Sequence, residues 1–190
     1  MNDKTQQIFG TERLYERAMR LLTGDGCKTD PPKAFRLFRV CAKAGHSQSQ
    51  YSLGMFFKNW GENQDFQEAA VWLKRSARQG HPEAQFELAA MYKTGEGVRK
   101  NRIIALKWFI LASQNGDEDA EMQCNLVGSE LTVEQEKRAL VMALRLKLKA
   151  EMNRTIQELI SEPGVFPSSE ADEDERDDPA SVLRFPTPPQ

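Results

Sequence analysis

The sequence predicts an all-α protein: a short solenoid of stacked helical hairpins, a long C-terminal helix that caps it, and an acidic tail expected to stay disordered. Three observations carry this. The chain matches itself at intervals of 36 and 35 residues, paired glycines interrupt helix-forming segments at matched offsets, and a run free of Gly and Pro extends from Leu131 to Ile160. A fixed period of this length marks a repeat architecture, in which each unit is too small to bury its own apolar face and stacks on its neighbours.

The register is set by Gly45 of KAGHSQS, Gly80 of RQGHPEA and Gly116 of QNGDEDA. Ala34, Ala69 and Ala105 stand eleven residues before these glycines, and Leu37, Trp72 and Trp108 stand eight before. Within each unit the first helix ends at a glycine turn, because glycine enters the left-handed region without a Cβ penalty. TGDG at Gly24 and Gly26 keeps the same offset from Ala34 that TGEG at Gly95 and Gly97 keeps from Ala105. The alanines let helices approach, and the Trp or Leu fills the space between hairpins.

TGEG also has the look of a phosphate loop. That reading needs a strand before the glycines and a helix after them. The preceding PEAQFELAAMYK has no β-branched residue and places Ala84, Leu88 and Met91 or Tyr92 at helical spacing. The context is helix, turn, helix, with no G-x-x-x-x-G-K-[ST].

The pattern A-x(3)-L-A-x(2)-Y-x(2)-G-x-G-V followed by A-x(2)-W-x(3)-A-S-x(2)-G resembles the Sel-one-like repeat, an α/α relative of the tetratricopeptide repeat. Ala84 to Gly116 carries the full pattern. Ser49 to Gly80 fits at Leu53, Gly54, Phe57, Ala69, Trp72 and Ala77, but its turn, NWGENQDF, is one residue short and lacks the paired glycines. Leu14 to Gly45 fits at its TGDG turn, Ala34 and Ala42, with Leu37 in place of the Trp. A half repeat runs from Ala120 to about Ser129, so the resemblance covers roughly two thirds of the chain. It implies a short right-handed superhelix over 12–131, whose first helices line the concave face and bind a protein or peptide.

After the repeats, Thr132 and Gln135 have capping-box form. The helix that follows, in the 132–161 segment, runs about 28 residues, or about 42 Å. Leu140, Val141, Leu144, Leu148, Met152 and Leu159 form a face about 120° wide, expected to pack on the array as its lid. Arg138, Arg145 and Lys149 border that face, which also suits a helix lying on a membrane or partner. From 162 to 190 the chain is rich in Pro, Ser and acid, too poor in apolar surface to offset its ordering entropy. This tail has eight Asp or Glu and two Arg, a net charge of −6, so the rest carries +4 against −2 for the whole chain. It reads first as a solubilising end. Its last segment, SVLRFPTPPQ, with Val182, Leu183 and Phe185, suggests a linear motif that docks on another protein or in the chain's own concave groove.

Several function classes lack support in the residues. No apolar core of signal-peptide length follows Met1 and no stretch approaches a membrane span, so a cytoplasmic location is expected. The three cysteines, Cys27, Cys41 and Cys124, follow no metal spacing. They lack the paired pattern of exported cysteine-rich relatives and read as packed small residues in a reducing compartment. The only histidines, His46 and His81, both follow a repeat-ending glycine and read as turn or cap residues. No nucleophile elbow, H-E-x-x-H, C-x-x-C or S-x-x-K is present, so no catalysis, cofactor or metal is expected. The basic residues are interspersed with Glu and no recognition motif appears, which places nucleic acid below protein as a partner.

An interaction surface remains. With Leu88, Ala89 and Tyr92 taken as buried, the inner edge of the third unit is Glu83, Phe86, Ala90 and Lys93. Stepping by the repeat gives Gln48, Tyr51, Met55 and Lys58 before it and Asp119, Met122, Leu126 and Ser129 after it. The first unit contributes Glu12, Tyr15, Met19 and Leu22. Tyr15, Tyr51, Phe86 and Met122 thus form a ladder of aromatic and methionine side chains of the kind that dominates binding hot spots, unless superhelical packing or the C-terminal helix covers it. The expected role is a monomeric, non-catalytic adaptor or scaffold; a regulatory or effector protein acting through the same repeats is the alternative, with an enzyme or nucleic-acid binder third.

Overall fold

The computed structural model describes residues 3–59 and 64–161. Among these there are eight helices and no strand: α1 (Asp3–Thr23), α2 (Pro31–Lys43), α3 (Ser47–Asn59), α4 (Phe66–Arg78), α5 (Pro82–Thr94), α6 (Arg102–Gln114), α7 (Glu118–Gly128) and α8 (Val133–Ser161). Each helix from α1 to α7 packs on the next, giving the hairpins α1–α2, α3–α4 and α5–α6 and the lone first helix α7. The chain divides at Ala150: the array and the first part of α8 form one unit, and the rest of α8 begins a second.

Both kinds of turn are the glycine devices the repeat demands. Gly24 and Gly26 have φ of 82° and 66°, and Gly95 and Gly97 have 91° and 66°. At Gly97 the requirement is double, since a Cβ there would lie 2.0 Å from the carbonyl oxygen of Phe66 at the start of α4. The turns between repeats are Schellman motifs. The His46, His81 and Asp117 N–H groups donate to the carbonyls of Cys41, Ser76 and Ala112 across Gly45, Gly80 and Gly116. These turns satisfy helix-end carbonyls that otherwise lack partners.

A further regularity binds each second helix to its first. Asp30, Asp65 and Asn101 cap α2, α4 and α6 with their side-chain oxygens. Their own N–H groups donate to the carbonyls of Leu21, Phe57 and Tyr92. Asp65 reaches back eight residues where Asp30 and Asn101 reach nine, as the shortened second turn requires. Residues 60–63 of that turn lie outside the described residues.

The core runs along the array. Leu53, Leu73 and Leu88 are fully buried, as are Ala34, Ala69, Ala84, Ala105 and Ala120 at repeat-equivalent small positions. Truncating any of these leucines costs about 2–5 kcal/mol. Gly54 sits mid-helix because a Cβ there would lie 2.7 Å from Leu73 Cγ, so its absence sets the α3–α4 spacing. Tyr92, Trp72 and Trp108 are buried, as expected.

The C-terminal helix corrects one expectation. The Thr132 capping box forms in both directions: the Thr132 N–H donates to Gln135 Oε1 at 3.0 Å, and the Gln135 N–H donates to Thr132 Oγ1 at 3.3 Å. The face that packs on the last repeat, however, is not the leucine stripe. Ala139 and Ala143 are buried in the core that holds Ala120 and Val127, and Leu146 packs against it. Leu140, Val141, Leu144, Leu148, Met152 and Leu159 are all exposed. Small side chains bring the helix axis close to the array, and that contact prevails over the larger aliphatic face.

Candidate first-helix interaction face

The first helices of successive repeats are joined by a recurring set of side-chain contacts, and the ladder lies among them. Tyr15 packs against His46, with ring centroids 5.1 Å apart, and Tyr51 stacks on His81 at 4.8 Å. The same contact thus links α1 to α3 and α3 to α5. In the next repeat Asp117 replaces the histidine, and Phe86 turns to meet Phe109 edge-on at 5.4 Å. Met122 is 63% exposed.

The other expected residues follow the same gradient. Met19, Met55 and Ala90 are half-buried, and Leu126 is 48% exposed. Lys58 Nζ pairs with Glu87 Oε2 at 2.5 Å, and one repeat later Lys93 Nζ donates to Gln123 Oε1 at 2.9 Å. These lysines brace one first helix against the next. At the ladder and at the position one turn on, the face is half-buried over α1, α3 and α5 and opens at Met122 and Leu126 on α7, while Leu22 at the end of α1 is exposed.

The histidines serve as caps. Nδ1 of His81 accepts from the Ala84 N–H, while Nε2 donates to Gln48 Oε1 of the preceding first helix at 2.6 Å. His46 repeats this toward Ser49 and Glu12. Burial holds the His81 pKa below the usual imidazole value, against an upward pull from Glu83, so the neutral ring is favoured, with an acceptor at Nδ1. Protonation would swap the Ala84 cap for the nearby Glu83 carboxylate, 2.9 Å from Nδ1.

Between α3, α5 and α7 the field is negative. Burial raises the Tyr51 hydroxyl pKa, and Glu87, Glu83 and Asp117 raise it further. Burial likewise raises Asp117, with Asp119 and Glu83 adding to the shift while its cap to the Ala120 N–H opposes it. The thiols of buried Cys41 and half-buried Cys124 are poor nucleophiles: burial raises Cys41, and burial followed by Glu121 pushes Cys124 up to about 11. Among the described residues no three His, Cys, Asp or Glu side chains gather as a metal site. No described helix is long and apolar enough to cross a membrane.

One linking device escaped the sequence reading. Gln50 and Gln85, both buried, donate to the carbonyls of Ala42 and Ala77 in the preceding repeat. Each also accepts from the end of its own repeat, Gln79 to Gln50 at 2.7 Å and Asn115 to Gln85 at 2.9 Å. The available signal was the repetition of Gln at equivalent positions in SQSQY and PEAQF.

Comparison with known proteins agrees with this geometry. The Sel1 repeat model matches residues 14–46, 47–81 and 82–117, more than half of the chain. The crystal structure of a Sel1 repeat protein from Oxalobacter formigenes superposes with a TM-score of 0.58 at 31% identity, covering 64% of this chain and 93% of that one. An uncharacterized protein of Neisseria meningitidis is 32% identical over 105 residues, 55% of this chain and 22% of that protein. A chitin synthase regulator of Saccharomyces cerevisiae is 41% identical over 56 residues, 30% of this chain and 8% of the regulator. The chain thus spans at most about a fifth of the length of these two curated relatives. Sel1 repeats are generally protein–protein interaction modules, and this chain belongs to the Sel1 repeat family.

Proposed function

We propose that the chain is a non-catalytic adaptor that holds a partner peptide or protein on its first-helix face, at Tyr15, Met19, Tyr51, Met55, Lys58, Phe86, Ala90, Lys93, Met122 and Leu126. The observation that supports this most is the opening of the ladder at α7. Met122 and Leu126 continue half-buried apolar positions of α1, α3 and α5 yet stand in solvent, as the anchoring end of an apolar contact would.

Met122→Asp/Leu126→Asp tests this without disturbing the core, since both side chains are exposed. Affinity capture with the double variant is expected to lose the partners that wild type retains, while Val71→Asp, an exposed position on the second helix α4, keeps them. Equal partner lists for all three proteins would remove the face from the account.

A second reading is regulatory: the same face holds an enzyme whose activity the chain alters. The regulator among the relatives motivates it, over the short stretch it shares. A change in the captured partner's own activity on adding the chain separates regulator from adaptor.

A further inference from the structure

Between Lys137 and Lys149 every residue of α8 is apolar or basic: five are Lys or Arg, the other eight are Ala, Val, Leu or Met, and the nearest acids are Glu136 and Glu151. Such a stretch has apolar surface on more than one side, and only one side meets the array. Ala139 and Ala143 are buried there, and Leu146 packs against the same core. At about 100° per residue, Leu140, Val141, Leu144 and Leu148 stand roughly 150° around the helix from these three. They are 45%, 54%, 46% and 63% exposed.

Cations mark both edges of this second face. Around the helix from the middle of the stripe, Lys147 lies about 75° to one side and Arg145 about 85° to the other, with Arg138 and Lys149 beyond Arg145 at about 105° and 125°. Lys137 stands within the stripe at its first turn. All five are exposed, and Lys147 Nζ marks the array side by donating to Gln114 Oε1 of α6 at 3.5 Å. An aliphatic stripe with long cationic side chains along both edges suits a helix lying in a lipid–water interface. The aliphatic groups enter the acyl boundary while the Lys and Arg stems carry their charges back to the headgroups.

We propose that α8 from Lys137 to Lys149 seats the chain on an anionic lipid surface, with Leu140, Val141, Leu144 and Leu148 in the apolar layer and the cations against the headgroups. Charge selects this occupant. A second copy docking through the same face would set five cations against five, and a neutral apolar partner would leave them without counter-charge. An acidic protein must hold its carboxylates in register with Arg138, Arg145 and Lys149, whereas a bilayer of mobile anionic lipids supplies negative charge at any spacing. The packed Ala139 and Ala143 lie on the opposite side of the helix, so the array faces water. The first-helix face takes no part, and lipid binding and partner binding can each fail alone.

Flotation of the full chain with vesicles tests it, using phosphatidylcholine alone and phosphatidylcholine mixed with phosphatidylserine. At low salt the mixed vesicles are expected to bind at least about tenfold more tightly than phosphatidylcholine alone, and added salt to release the chain. Leu144→Gln/Leu148→Gln removes exposed apolar area at unchanged charge and is expected to weaken binding about tenfold. Val71→Gln/Met122→Gln, at matching exposures of 46% and 63% elsewhere on the array, is expected to bind as wild type. Arg138→Gln/Arg145→Gln is expected to narrow the difference between the two vesicles. Three results would each overturn the proposal: no binding to the mixed vesicles, equal binding to both, or wild-type binding by Leu144→Gln/Leu148→Gln. Where the vesicles are not bound, a dimer in light scattering that Leu144→Gln/Leu148→Gln dissolves would assign the face to a second copy, and capture of soluble polyglutamate through the same leucines would assign it to an acidic protein.

Discussion

Gly97→Ala is the sharpest test of the repeat geometry, because its partner control separates two costs. Gly80 and Gly97 both lie in the left-handed region, at φ of 91° and 66°. A Cβ added at Gly80 meets nothing within 4 Å, whereas at Gly97 it lies 2.0 Å from Phe66 O and 2.3 Å from Phe66 C. Gly80→Ala therefore carries only the backbone cost, about 1 kcal/mol at the low end for a non-glycine residue there. Gly97→Ala carries that cost and must also push the α5–α6 turn off the start of α4 by more than an ångström. Overpacking of this kind adds about 1–3 kcal/mol, for a total of about 2–4 kcal/mol. In a chain of this size the control should lower Tm by about 2–4 °C and Gly97→Ala by at least about twice that. Thermal unfolding followed by far-ultraviolet circular dichroism reads both. Equal shifts would refute the claim that the TGEG turn is pressed against the preceding second helix.

Other outcomes follow from the same contacts. Gln85→Ala leaves the Ala77 carbonyl and the Asn115 amide without their partner, and its expected cost is about 1–3 kcal/mol by urea unfolding. For His81, the folded-state pKa lies below the unfolded one, so the unfolded chain binds more protons between the two values and stability declines as pH falls below about 6.5. His81→Asn keeps a capping oxygen without a titrating group, and a pH series should show a shallower decline. Leu144→Asp/Leu148→Asp should leave Tm unchanged within about 2 °C, since neither leucine is in the core. A large loss would return the leucine stripe to the lid.

What was legible in the sequence was what local chemistry repeats. Gly95 and Gly97, the Thr132–Gln135 capping box, and the buried Leu88, Ala89 and Tyr92 each announce themselves within one turn of helix or by recurrence. The Asp30, Asp65 and Asn101 caps were equally local, but the carbonyls their N–H groups seek lie across a loop and leave no trace in spacing. The Gln50 and Gln85 links depend on acceptors in the preceding repeat. On α8 two faces competed, and side-chain size was the wrong guide. Ala139 and Ala143 offer little apolar area apiece but admit close approach, while the larger stripe was free to face solvent. Register alone made Tyr15, Tyr51, Phe86 and Met122 equivalent, but not their gradient: Tyr15 and Tyr51 meet the histidine that opens the next repeat, Phe86 meets Phe109, and Met122 stands exposed on the last first helix of the array.

The central claim is that partners dock on the first-helix face. A photo-cross-linking amino acid placed at Met122, with Val71 on α4 as the control site, tests it most directly in native lysate. The account predicts a discrete cross-linked partner from Met122 that unlabelled wild-type chain competes away, and none from Val71. A partner captured from Val71 and absent from Met122 would contradict it.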